Sequence, residues 1–309
     1  MSVQTGVDAR RAGRPAAARR PLSREVVETR ILRVLKWIGI AFFLIVTIVP
    51  FLYMFMLSIR TIESVAVNPG AIIPPPGTIT LETYSRVLRG AAEGGQGFLT
   101  FMQNSLIIAV AAVATSLLVA IPGAYAISRL RFFGRRQISA LFLAVYLFPA
   151  ILLAIPLFVI FTKLGLRGSL VGLMIVYASQ TVPVTIHMLR TYFDSVPVSL
   201  EESAAVEGAT RLQIMRKVTL PLAGPAIMAT GLFVFMIAWN EFLFALLFLV
   251  ERRESWTVSL GLSQLAGSIE VPTTVLMAGA VILTLPIVVL FFLTERFLVE
   301  GLTAGAEKG

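Results

Sequence analysis

The sequence predicts an all-α polytopic membrane protein with six transmembrane helices and a cytoplasmic helix-turn-helix loop. Three observations predict it. Hydrophobic residues make up 57% of the 309 residues and charged ones only 14%, more apolar surface than a soluble chain of this size hides. The apolar residues gather into six runs of about 18 residues or more, long enough to cross a bilayer. Lysine and arginine divide unevenly between the connecting loops, which gives those runs a direction.

Residues 1–33 are basic, with Arg10, Arg11, Arg14, Arg19 and Arg20 among them, and are expected to form a disordered cytoplasmic tail. The apolar run that follows is too long for a signal-peptide core and has no small-residue cleavage site after it. Residues 34–309 then form one six-span domain. Its runs are Trp37–Ile59, a stretch within Gly94–Ser128 from about Phe101, Gln137–Thr162, Gly168–Leu189, Val218–Val250 with Glu241 as its one charge, and Val271–Thr294. The 60–99 connection holds Asn68-Pro69-Gly70 and Pro74-Pro75-Pro76-Gly77. These exclude a continuous helix, so extended and turn structure is expected with a short helix near Leu81–Leu88. Prolines within the runs (Pro50, Pro122, Pro149, Pro156, Pro183, Pro286) mark expected kinks.

Of 26 lysines and arginines, nineteen fall in the N-terminal segment, the loops after the second and fourth runs, and the C-terminal tail. Both termini and the 199–221 loop are therefore expected in the cytoplasm, with the protein in the inner or plasma membrane among its lipids. The +9 net charge is spent on this topology, and no nucleic-acid partner is inferred.

The 199–221 loop is polar and lies between two apolar runs. Ser199-Leu200-Glu201-Glu202 fits a capping box at the start of a short helix, with acids in its first turn. Gly208 fits the left-handed position that ends it. Thr210 and Gln213 fit a second capping box, opening a helix that runs to about Leu220, where Pro221 breaks it. Ser203, Ala204 and Ala205 are small and allow close approach by a partner. The loop reads as a stiff elbow joined to two spans.

Inside the spans, Asn240 and Glu241 stand out, because an ionisable group at membrane depth is costly. Two readings stay open: a position on a solute pathway, or an interhelical hydrogen bond. Gln180 and Asn104 are weaker pathway candidates, and His187 is expected near the membrane interface. The chain has no cysteine and one histidine. Metal and thiol chemistry therefore have almost no residues to use, and no catalytic or metal site is assigned. No phosphate-binding loop occurs.

The run Glu202-Ser203-Ala204, then Gly208, then nine residues to Val218-Thr219-Leu220-Pro221 resembles the signature of inner-membrane permease subunits of bacterial ATP-binding cassette importers. It departs at Ser203 and Val218, where the family pattern has Ala and Ile. Trp239-Asn240-Glu241-Phe242 and the C-terminal Gly301-Leu302-Thr303-Ala304-Gly305-Ala306 resemble the carbohydrate branch, the maltose-permease G-type subunits. The resemblance implies a permease that translocates a sugar or related carbohydrate delivered by an extracytoplasmic solute-binding protein. It implies pairing with a second homologous permease subunit as a heterodimer and with two copies of an ATP-binding subunit that hold ATP and Mg, so no cofactor belongs to this chain. By the same resemblance the elbow residues Ser199, Glu201, Glu202, Ser203, Ala204, Ala205, Glu207, Gly208 and Ala209 couple to the ATPase. Gly301, Leu302, Thr303, Ala304 and Gly305 form a second contact with it, and the loop about Glu251–Glu270 meets the binding protein.

A permease of the same superfamily for a non-sugar solute is the alternative. An ion-coupled secondary transporter calls for internal repeats and several intramembrane carboxylates, and here only Glu241 qualifies.

Overall fold

The computed structural model describes the backbone of residues 24–306 and the side chains of residues 28–295. Within that range the chain is helical apart from short connections and one isolated bridge, between Arg60 and Ile79. Two compact units divide it, Met1–Leu52 and Tyr53–Gly309. The first unit contains most of α1 (Arg24–Ser58), a helix that carries Pro50 inside it. Helix therefore begins ten residues earlier than the 1–33 tail assignment allowed. Ile31, Leu32, Val34 and Leu35 recur at helical spacing before the uncharged run begins, and a helix needs no uncharged window to propagate. The rest of the tail assignment lies outside the described residues.

The 60–99 connection is more ordered than its prolines suggest. It folds into α2 (Ile62–Val67) and α3 (Glu82–Leu88), followed by a 3-10 turn at Ala91–Glu93. The second helix sits where the Leu81–Leu88 expectation put it. Helix α2 was not foreseen. Its signal was Thr61, whose Oγ1 accepts from the Ser64 amide and caps the N-terminus. The organiser of this connection is Arg60, which is fully buried. Its guanidinium donates to the carbonyls of Ala71 (2.7 Å), Ser64 (2.8 Å) and Asn68 (2.9 Å). A fixed fork of donors thus gathers three carbonyls from α2 and the turn after it, two of which also accept a backbone amide.

Two long helices form the spine. In α4 (Phe98–Arg129), Ser105, Ala109, Ala112, Ser116, Ala120 and Ala124 are all buried. Their spacing of three to four residues makes a stripe of small side chains, which lets two membrane helices approach closely. That stripe faces α7 (Leu170–Ser195), the partner with which α4 makes its most extensive contact. Ser116 and Thr181 hydroxyls meet across the seam at 2.6 Å.

The third predicted span is not continuous. It consists of α5 (Arg135–Leu147) and α6 (Ala150–Lys163), bent by 91° at Phe148-Pro149. Pro149 supplies the break, because the residue before a proline leaves the helical region; Phe148 has ψ 129. The elbow follows α7 as α8 (Val198–Val206), α9 (Arg211–Ile214), a π-helical turn (Met215–Thr219) and α10 (Leu220–Leu222). The fifth predicted run contains α11 (Gly224–Asn240) and α12 (Leu243–Leu249), parted at Glu241-Phe242. A 3-10 turn at Arg253–Ser255, α13 (Val258–Ala266) and α14 (Thr273–Ala306) complete the chain. Among the described residues four helices are long and apolar enough to cross a membrane. Two bent pairs, α5 with α6 and Arg211–Leu222 with α11, raise the number to six when each counts as one span.

Two apolar clusters fill the second unit. The larger is built around Trp239, Tyr177, Phe98, Phe244 and Phe248, and Trp239 Nε1 is satisfied by the Leu283 carbonyl at 2.9 Å. The smaller, with Tyr125, Ile186, Leu189 and Phe193, lies under the elbow.

Where α13 crosses α4, Gly261 meets the Phe101 ring, which Phe98 and Trp256 hold from its other sides. A Cβ at Gly261 would stand 2.4 Å from Phe101 Cδ2. Gly261→Ala is therefore expected to destabilise the fold by about 1–3 kcal/mol despite alanine's better helix propensity. An unfolding midpoint in detergent that rises on this substitution would disprove the contact.

Candidate functional site

The elbow is fixed by local devices, though not all those expected. Helix α8 does not begin at a Ser199 capping box. Its N-cap is Pro197, with no side-chain cap bond. Pro197, locked near φ −59, starts the helix so early that Ser199 already lies in its first turn. Ser199 instead accepts from the Ser203 hydroxyl through its carbonyl, at 2.9 Å. The helix end is as expected. Gly208 has φ +87, its amide bonds the Ala205 carbonyl, and the Ala209 amide bonds the Ala204 carbonyl, both at 3.0 Å. This is the two-bond Schellman arrangement.

The second capping box is complete: Thr210 Oγ1 accepts from the Gln213 amide and Gln213 Oε1 from the Thr210 amide. Pro221 does not end the helix that follows. The π turn widens the backbone just before it, and the chain stays helical through Leu222 before bending by 76° into α11. A proline lacks the amide that a regular turn needs and crowds the carbonyl four residues back, and the wider turn relieves both.

The early start rotates the helix so that Glu201 points inward. Glu201 is 5% exposed. Its Oε1 accepts from Arg129 Nε at 2.9 Å and from Thr219 Oγ1 at 2.8 Å, and its Oε2 from the Tyr125 hydroxyl at 3.3 Å. Arg129 donates further to the Val196 carbonyl (2.9 Å) and to Ser128 Oγ (3.2 Å), and Ser128 Oγ donates to Asp194 (2.6 Å). One buried ion pair thereby joins the end of α4, the α7–α8 junction, α8 itself and the π turn. Arg129, Thr219 and Tyr125 were not singled out from the sequence. Arg129 was read only as a topology charge, and a helix register begun at Pro197 was the signal that pairs it with Glu201.

The opposite face of α8 is open. Glu202, Ser203 and Glu207 are exposed, and so are Val206 (90%) and, across the turn, Leu212 (59%). Ala204 and Ala209 are half-buried, while Ala205 is exposed beside a concavity of about 360 Å³ that Glu202, Arg131 and Arg211 also line. An apolar tip ringed by acids and arginines is a surface shaped for a protein partner.

The intramembrane candidates separate. Asn104 spends its amide on the carbonyls of Glu254 (2.8 Å) and Trp256 (3.0 Å), tying α4 to the connection between α12 and α13. Glu241 accepts from the Phe244 amide (2.8 Å), the Ala245 amide (3.2 Å) and the Tyr177 hydroxyl (2.5 Å). It thus caps α12 where the helix is broken. Asn240 is exposed and bonds the Met236 carbonyl in its own helix. Gln180 is half-buried, with Nε2 buried and unpartnered. Gly301–Gly305 are helical in the last turns of α14, and their side chains lie outside the described residues.

Comparison with known proteins agrees with this architecture. A family model described as the binding-protein-dependent transport system inner membrane component matches residues 116–302. The chain is 38% identical over 272 residues to the inner membrane ABC transporter permease protein YcjP of Escherichia coli (strain K12), covering 88% of this chain and 95% of the relative. It is 36% identical over 278 residues to the trehalose/maltose transport system permease protein MalG of Thermococcus litoralis, covering 90% and 97%. A chain in the crystal structure of a bacterial ABC transporter involved in the import of the acidic polysaccharide alginate superposes with a TM-score of 0.72 at 27% identity, over 87% of this chain and 97% of that one.

Removing one side of the Arg129–Glu201 pair leaves a buried charge unpaired. Glu201→Ala is expected to cost about 3–5 kcal/mol, and the joint replacement Arg129→Met with Glu201→Leu less than that. Unfolding midpoints in detergent measure this, and additive single costs in the double variant would rule the pair out.

Proposed function

The chain belongs to the family of binding-protein-dependent inner-membrane transport components, and from that premise and the elbow's geometry we propose how it works. It is a multi-pass inner-membrane permease of an ABC importer, and ATP is bound by a separate subunit. Its cargo is a carbohydrate. Support for this comes from the trehalose/maltose permease among its relatives and from the alginate transporter whose fold it shares.

Two copies of the ATP-binding subunit and a second homologous permease complete the assembly. Both termini and the elbow face the cytoplasm, as the lysine and arginine distribution favours, and Glu251–Glu270 faces the binding protein outside. The elbow is the coupling element, engaging the ATPase through Glu202, Ser203, Val206 and Glu207, with the C-terminal Gly301–Gly305 as a second contact.

The observation that carries this reading is the division of α8 into two faces. One is bolted to α4 and the π turn through Glu201 and Arg129 at 2.9 Å. The other carries exposed Val206 between exposed acids. A push on the outer face reaches α4, α7 and α11 through the bolt, because buried, fully bonded networks have one arrangement. The spans then exchange inward- and outward-open states. Of the intramembrane candidates, Gln180 stays on the proposed pathway, since its buried Nε2 has no partner. Asn104 and Glu241 hold structure.

In the reconstituted transporter, Glu202→Arg and Gly208→Val are expected to weaken ATPase docking by about tenfold or more, the scale of an interface anchor lost, and to abolish substrate-stimulated ATP hydrolysis. Gly208→Val acts through backbone strain, since φ +87 excludes a branched side chain. Wild-type stimulation in both variants would reject the coupling role.

A further inference from the structure

Between α5 and the second half of α7 lies a pocket of about 430 Å³, lined by Arg135, Arg136, Ser139, Leu143, His187 and Arg190. It sits on the elbow's side of the protein. Helix α7 runs from it into α8, and Arg135 Nη2 donates to the Ser128 carbonyl at 3.2 Å, one residue from Arg129.

The charge in this pocket is unbalanced. Asp194 stands 3.4 Å from Arg190 Nε, and its other oxygen accepts from Ser128. Arg190 also donates to Ser139 Oγ, yet its buried Nε has no hydrogen bond. The separation to Asp194 is an ion-pair distance without hydrogen-bond alignment, so both descriptions hold. The Arg136 side chain has no hydrogen bond or ion pair among the described residues. The 13-residue helix α5 also opens here, after Gly134 at φ +84, and its first amides add to the positive field.

Apolar surface continues from the basic floor. Phe133 is fully exposed at the tip of the α4–α5 turn, and Leu141 and Leu147 on α5 are exposed by 61% and 68%. Arginines at one depth, an aromatic tip beside them and an apolar wall running away into the membrane match a phospholipid seen end-on. A soluble anion would use only the floor.

We propose that the Arg135–Arg136–Arg190 pocket binds the phosphate of an anionic phospholipid in the cytoplasmic leaflet, with its acyl chains along α5. The choice of leaflet rests on the orientation proposed above, and the affinity for a lipid phosphate does not.

The intact transporter, placed in nanodiscs of phosphatidylcholine with phosphatidylglycerol, tests this by native mass spectrometry of retained lipid. Phosphatidylglycerol should be retained in preference to phosphatidylcholine. Arg136→Gln should weaken that retention roughly fivefold, at about 1 kcal/mol for one basic residue near an anionic surface, with an unchanged melting temperature. Arg167→Gln, far along the chain in an exposed ion pair with Glu251, should leave retention unchanged. Equal retention of the two lipids, or no effect of Arg136→Gln, overturns the site.

Inorganic phosphate added to discs of phosphatidylcholine alone should not raise the melting temperature. A rise that Arg136→Gln removes would make this a soluble-anion site and overturn the lipid assignment. Phe133→Cys, the sole thiol in a chain without cysteine, should react with an impermeant maleimide from the cytoplasmic side only. Labelling from outside with lipid retention intact would overturn the orientation and leave the lipid site standing.

Discussion

A buried carboxylate on α8 that α4 and the π turn must satisfy together is the constraint on which the elbow half of this protein depends. Glu201 is taken out of water and is bonded by Arg129, Thr219 and Tyr125. Desolvating two ions costs several kcal/mol each, and the pair recovers this only with good geometry and its remaining lone pairs and protons bonded. The end of α4, the start of α8 and the π turn are therefore positioned together. Displacing any one of them strands charge in an apolar setting, above the cluster of Tyr125, Ile186, Leu189 and Phe193. The hydrophobic effect alone would tolerate sliding there, because it has no direction. The ion pair removes that freedom.

The breaks in the spans are handled by the same rule. In a membrane a freed backbone group has no water to bond and must find a partner in the protein. At Glu241 the helix parts, and the residue that interrupts it also repairs it: its carboxylate takes the amides of Phe244 and Ala245, and its carbonyl accepts from Ser259 at 2.6 Å. Tyr177 from α7 completes the carboxylate's bonding. The π turn does the equivalent for Pro221 by changing the hydrogen-bond step before the residue that cannot donate. Outside the spans, Arg60 neutralises the carbonyls of the proline-rich connection. Each of these three irregularities has a polar side chain or an altered turn within a few residues of it.

The helical class, the location of the apolar runs and the turn between the elbow's two helices could be read from the chain because they depend on local signals. These are runs of uncharged residues, a glycine free to take φ +87 and a threonine three residues before a glutamine. The elbow's inner partner could not. Ser199 and Pro197 are both acceptable starts, and they differ by two residues. That is more than half a helical turn, enough to decide which glutamate is buried. Only packing against α4 chooses between them. Pro149 and Glu241 were visible as irregular residues. Whether each bends or merely interrupts a span depends on the neighbours that take up the freed backbone groups. Arg129 looked like one more topology charge because its role exists only across a separation of 72 residues.

Glu201 and Glu202 then divide one task between adjacent positions. Successive residues on a helix point about 100° apart, so two consecutive acids on a helix lying against a protein cannot share an environment. The first is buried and bonded to the spans. The second, the one that fits the family signature, stays in solvent. A transmitting element needs both conditions at once: a face that cannot slip on the machinery behind it and a face still free to bind. A single glutamate would have to meet these demands in turn, and its burial by a partner would then compete with its own fixation. With the two roles on neighbouring residues, the docking at Glu202 proposed above would leave the Arg129–Glu201 bolt undisturbed.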